Sequence, residues 1–87
     1  MISSGRTIVA ATPTQIDGND INPVDLLIHN VDSTKDLYIG GANVSAANGF
    51  ILSKGESIEV TIPPGDSIYM ISSGDNHPVT WLRIAKY

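Results

Sequence analysis

His29 and His77 are the only histidines in this 87-residue sequence, which has nine acidic residues and no cysteine. His29 lies inside the apolar run 24–31, with no acid at a triad-like offset. It reads as a hydrogen-bonded strand residue rather than a base or ligand. His77 precedes Pro78 in a polar stretch and reads as a solvated loop residue. Two histidines without a cysteine do not make a structural zinc site. Asp17-Gly18-Asn19-Asp20 invites a calcium reading, since hard-cation loops place oxygen ligands at alternate positions and close with a bidentate Glu. Ile21 falls where a ligand should and no acid follows at the closing distance, so the stretch reads as Asx-turn chemistry. Glu56 and Glu59 stand three apart on a strand pattern, hence on opposite faces, and cannot share a proton. No serine sits in a nucleophile elbow, and Gly40-Gly41 lacks the lysine of a phosphate loop. Tyr38, Tyr69 and Trp81 suit either a sugar-stacking platform or packing in a core or interface. No motif calls for a metal or cofactor, and catalysis is not expected.

The elements that would position these groups are short strands. Val, Ile, Thr and aromatic residues make up 29 of 87, Ile alone twelve, and such side chains fit a pleated, half-buried surface. The organising stretch is 38–60, where the turn signals Gly40-Gly41, Asn48-Gly49 and Lys54-Gly55-Glu56 separate short apolar runs. Asn-Gly there favours turns with φ > 0. Before it, 1–6 reads as a flexible lead, 7–12 as a first strand stopped by Pro13 and 14–16 as a short second piece. The stretch 17–23 reads as a loop and 24–31 as a central strand, apolar on both faces. The segment 36–39 is expected to pair back on 24–31 as a hairpin. In 57–62, Ile58, Val60 and Ile62 alternate with Ser57, Glu59 and Thr61, one set inward and one toward water. Pro63-Pro64-Gly65-Asp66 is a turn, followed by strands at 67–71 and 79–85. No apolar stripe of helical period runs over ten or more residues. The expectation is an all-β fold, a small antiparallel β-sandwich or jelly-roll-like domain of seven to eight short strands over 7–87, without significant helix.

Two strands carry apolar groups on both faces: Tyr69 and Ile71 oppose Ile68 and Met70, while Val79 and Trp81 oppose Leu82 and Ile84. One apolar face suffices for a lone sandwich. The second set either packs under loops or forms a subunit contact. Tyr69, Ile71 and Trp81 are therefore candidate interface residues.

Length and charge bound the rest. One domain is the prior for 87 residues, and so short a chain buries a modest core, which favours association with copies of itself or with a larger body. The five basic residues (Arg6, Lys35, Lys54, Arg83, Lys86) are scattered within a net charge of −4. Nucleic-acid binding, which needs clustered cations, is not expected. No apolar run reaches membrane-spanning length. Residues 1–6 lack a signal-peptide pattern, so synthesis and retention in a cytosol, or exit as part of something bigger, is expected.

The motifs Leu26-Leu27-Ile28-His29-Asn30-Val31, Asp36-Leu37-Tyr38-Ile39-Gly40-Gly41, Val44, Asn48-Gly49-Phe50, Leu52 and Gly55-Glu56-Ser57-Ile58 resemble a pattern found in small virion proteins of tailed bacteriophages. Ile68-Tyr69-Met70-Ile71-Ser72-Ser73-Gly74 and Val79-Thr80-Trp81-Leu82 are similar to the end of that pattern, so the resemblance spans about 7–85. Such families include capsid decoration proteins, head-fibre bases and minor tail modules. The resemblance implies a β-sandwich decoration (cement) protein, made in the host bacterial cytoplasm. It would bind the major capsid protein on the outer surface of the phage head, as a homotrimer. A minor tail, baseplate or head-fibre module binding host carbohydrate is the alternative. The resemblance supplies no catalytic residue. By analogy with termini that tuck against a shell, Ile2 and Arg6 join the candidate interface residues.

Overall fold

A computed structural model describes residues 2–18, 21–32, 34–74 and 76–85. Eight strands follow in order: β1 (Ile2–Val9), β2 (Thr14–Gly18), β3 (Val24–Asn30), β4 (Leu37–Gly40), β5 (Phe50–Leu52), β6 (Ser57–Ile62), β7 (Ser67–Ser72) and β8 (His77–Ala85). They form two four-stranded antiparallel sheets, β1-β8-β3-β6 and β2-β7-β4-β5. All connections except β4–β5 pass from one sheet to the other, which is the jelly-roll arrangement. The described residues contain no helix, and the all-β sandwich expectation holds.

Three local expectations are corrected. The lead 1–6 is not a tail: β1 begins at Ile2, paired with Ile84, and runs in register to Val9 opposite His77. Its order comes from β8, nine residues long and far along the chain, which offers a partner to every residue of β1. Met1 lies outside the described residues. The segment 36–39 does not pair back on β3. It pairs with β5 and β7 in the other sheet, because the chain turns the corner between sheets after Asn30. Asp17 and Gly18, expected in a loop, end β2 instead, while Asn19 and Asp20 lie outside the described residues.

The core lies between the sheets. β3 is central in its sheet, as expected, and contributes Val24, Leu26 and Ile28, all essentially inaccessible to solvent. β4 and β7 answer with Leu37, Ile39, Ile68 and Met70, and Val9, Leu52, Ile62 and Val79 complete the cluster. Alternation in β6 is as read, with Ile58 and Val60 against this cluster and Ser57, Glu59 and Thr61 exposed.

Two turns fix the corners. In 63–66 the Asp66 amide donates to the Pro63 carbonyl (3.1 Å) and Gly65 has φ 78°. In 53–56 the Glu56 amide donates to the Ser53 carbonyl (3.1 Å) and Gly55 has φ 77°. Both are type II turns, which need φ > 0 at the third residue. Asn48-Gly49 works differently. Gly49 is not among the positive-φ residues; a Cβ there would lie 2.6 Å from Tyr38 Cβ and 2.9 Å from the Ser45 carbonyl oxygen. Glycine stands at 49 for close approach rather than for turn geometry.

Candidate functional site

One end of the sandwich is closed by a buried polar network that joins the sheets. Asn30 ends β3, Ser72 ends β7 and His77 begins β8, with exposures of 0%, 3% and 0%. Asn30 Nδ2 donates to the carbonyls of Lys35 and Leu52, each at 3.1 Å. Asn30 Oδ1 is therefore the acceptor, taking the Asp32 amide at 3.2 Å and His77 Nε2–H at 2.6 Å. That assigns the neutral Nε2–H tautomer, so His77 Nδ1 accepts the Ser72 hydroxyl at 2.6 Å. Ser72 Oγ in turn accepts the Gly74 amide at 3.1 Å. The reading of His77 as a solvated loop residue is thus corrected. Its partners Asn30 and Ser72 come from strands of both sheets, which neighbouring residues in the sequence do not disclose.

Burial depresses the His77 pKa below its ordinary 6.5. Asp32 partly opposes this, as does the more weakly acting Asp36, while Lys35 reinforces it. A proton added at Nδ1 would point at Ser72 Oγ and leave the serine hydroxyl without its acceptor. Ser, His and Asn superficially resemble a nucleophilic triad, here with Ser72 and His77 3% and 0% exposed. Beside the network, Asp32 Oδ1 accepts the Thr34 amide (2.7 Å), the Thr34 hydroxyl (2.8 Å) and the Lys35 amide (3.0 Å). These bonds, the Thr34 amide foremost, hold its carboxyl at a pKa of about 2.

Toward the other end, Arg83 Nε donates to Asp17 Oδ2 at 2.7 Å, both side chains largely buried. A β-bulge makes this possible. The register of β2 on β7 slips between Gln15 and Asp17, so Asp17 opposes the inward Ile68 rather than pointing outward. Asp17 Oδ1 also accepts the Gly18 amide, at 2.8 Å. The described residues contain no group of three His, Asp or Glu placed to hold a cation.

The candidate interface residues are distributed over different surfaces. Trp81 faces inward, packed against the core, and its Nε1–H donates to Thr7 Oγ1 at 3.1 Å. A Cβ at Gly5, its partner on β1, would fall 2.5 Å from the indole. Tyr69 and Ile71 lie on the outer face of the β2-β7-β4-β5 sheet with Tyr38, and Ile71 is only 8% exposed. The loop 41–49 folds over part of that face. Val44, 4% exposed, stands above Gly40 and against Gly49. Tyr38 and Tyr69 therefore share a surface that Trp81 does not join.

Ile2 and Arg6 lie instead on the outer face of β1-β8-β3-β6, which no described segment covers. Cross-strand rows run Ile2, Ile84, Asp25, Thr61; then Ser4, Leu82, Leu27, Glu59; then Arg6, Thr80, His29, Ser57; with Ile8 beside Pro78 at the end. Ile2 is 69% exposed, Ile8 55%, Leu27 40% and Leu82 36%. A shallow depression of about 170 Å³ opens among Leu27, His29, Thr80, Trp81 and Leu82. His29 is exposed here and makes no side-chain hydrogen bond among the described residues, which corrects its expected hydrogen-bonded role. Leu27 was missed as a candidate, although its alternation with Leu26 and Ile28 marks it as outward.

No family model matches this chain, and no curated protein matches it. A chain from a solved structure of Bacillus endospore appendages, a family of disulfide-linked pili, is similar in structure, with a TM-score of 0.61 at 14% identity. The similarity covers 100% of this chain and 87% of that one. At such identity the likeness is one of fold.

Proposed function

We propose that this protein works by docking rather than by catalysis, as a capsid decoration protein on the outer surface of a bacteriophage head. The observation that carries the docking reading is the uncovered outer face of β1-β8-β3-β6, where Leu27 and Leu82 are exposed side by side, with Ile2 in the next row and Ile8 two rows away. The resemblance of the motifs between 26 and 82 supplies the decoration role, and the major capsid protein is the partner it implies. A cement acts by linkage: binding the expanded lattice and not its precursor favours that lattice by the binding free energy, repeated at every site. With no cysteine in this sequence, no disulfide joins its copies, in contrast to the disulfide-linked pili sharing the fold.

The test is copy number in purified virions, with Leu82→Asp as the interface variant. A number matching a full set of equivalent shell sites, lost in Leu82→Asp, is expected. A handful of copies per particle would sink the decoration role.

A further inference from the structure

We propose that in the free protein, before it meets the capsid, the uncovered face is closed by a second copy of this chain, paired about a two-fold axis parallel to the strands between β8 and β3, a pairing that capsid docking through the same face displaces. The inference rests on the reading of that face as a docking surface and names what closes it.

Charge selects the arrangement. A two-fold along the strands lays β8 of one copy on β3 of the other, and β1 on β6. Leu82 of each copy then meets Leu27 of its partner at the centre, since the two share one row across β8 and β3. At the rims, Arg6 on edge strand β1 comes over β6, one row from Glu59. Packed sheets lie about 10 Å apart and successive same-face residues about 7 Å apart, within reach of an extended Arg and Glu. Both are exposed, and neither has an ion-pair partner within its own copy among the described residues. The symmetry makes the contact twice. A two-fold across the strands would instead lay β1 on β1 and β6 on β6, leaving Arg6 and Glu59 apart.

Among the described residues of the face the remaining charged group is Asp25, which already accepts the Thr61 hydroxyl at 2.8 Å and is not asked to pair. The result is an apolar centre with a charged rim, the usual anatomy of an interface. Because each copy carries a net charge of −4, the two rim contacts offset a general repulsion. Four strands spaced about 4.8 Å by seven residues of about 3.3 Å give a footprint of roughly 450 Å² per copy. Side-chain relief brings the total buried near the ~1,000 Å² at which specific interfaces begin. An interface of that size stands at the low end of specific contacts, where weak and transient pairs are found.

The test is a charge-swap cycle read by sedimentation equilibrium. Wild-type chain should fit a monomer–dimer equilibrium. Arg6→Glu and Glu59→Arg should each weaken pairing about tenfold or more, because each places like charges at both rims. The double variant should return to within about threefold of wild type. All substituted positions are exposed, and an unchanged thermal midpoint confirms folding. Wild type that stays monomeric at every concentration, a trimer, or single variants without effect would overturn the pairing. Loss of Leu82→Asp from virions, measured separately, reports on the docking reading itself, so monomeric wild type with that loss overturns the pairing alone.

Discussion

At the scale of single residues, His77 makes the most specific physical claim. Its neutral form gives a proton to Asn30 and takes one from Ser72, so protonation breaks a network with no spare acceptor. With the folded pKa below the unfolded 6.5, both states are neutral above pH 6.5 and the full stability is present. As pH falls below 6.5 the unfolded chain binds a proton first, and stability declines by at most about 1.4 kcal/mol per pH unit until the folded pKa is reached. Urea denaturation between pH 7.5 and 5 checks this; His77→Phe should lose this slope and start about 1–3 kcal/mol lower, with the Ser72 hydroxyl left without its acceptor. Asp32 acts in a more acidic window, its contribution present above its unfolded 3.8 and lost as pH falls through about 2. Asp32→Ala should lower the thermal midpoint at pH 5, and the gap should close toward pH 2. His77 could not be read from its neighbours alone, whereas the partners of Asp32 lie two and three positions on. Pro78 and the polar residues before His77 spell a loop, while its Asn30 partner lies 47 positions away.

At the scale of elements, what could be read was what alternation determines. The faces of β6, β7 and β8 were predicted correctly, including the opposition of Trp81 to Leu82. Alternation gives which residues share a face but not which face meets the core; the packing of Trp81 against the core and over Gly5 takes it out of the interface set. Sheet membership was also hidden. A polar turn between two apolar runs looks the same whether the chain folds back on one sheet or crosses to the other, and here Asn30 tying Lys35 and Leu52 marks the crossing. Gly5→Ala should force the indole or β1 to shift, at about 1–3 kcal/mol of stability and with a changed Trp81 emission spectrum. Asn30→Ala, leaving two carbonyls and the Asp32 amide without its side chain, should lose about 2–4 kcal/mol in chemical denaturation.

At the scale of the whole molecule, the two outer faces differ in a way composition alone did not reveal. One is partly roofed by 41–49, with Val44 as its plug; the other keeps Ile2, Ile8, Leu27 and Leu82 in water. Small cores gain from such unsatisfied surface when a partner closes it. The measurement that tests this most directly is light-scattering molar mass over a concentration series for wild type and Leu82→Asp. Wild type should rise from 9.2 kDa toward twice that value while the variant stays at 9.2 kDa. A wild-type mass fixed at 9.2 kDa throughout, indistinguishable from the variant, would contradict closure of the face by a second copy.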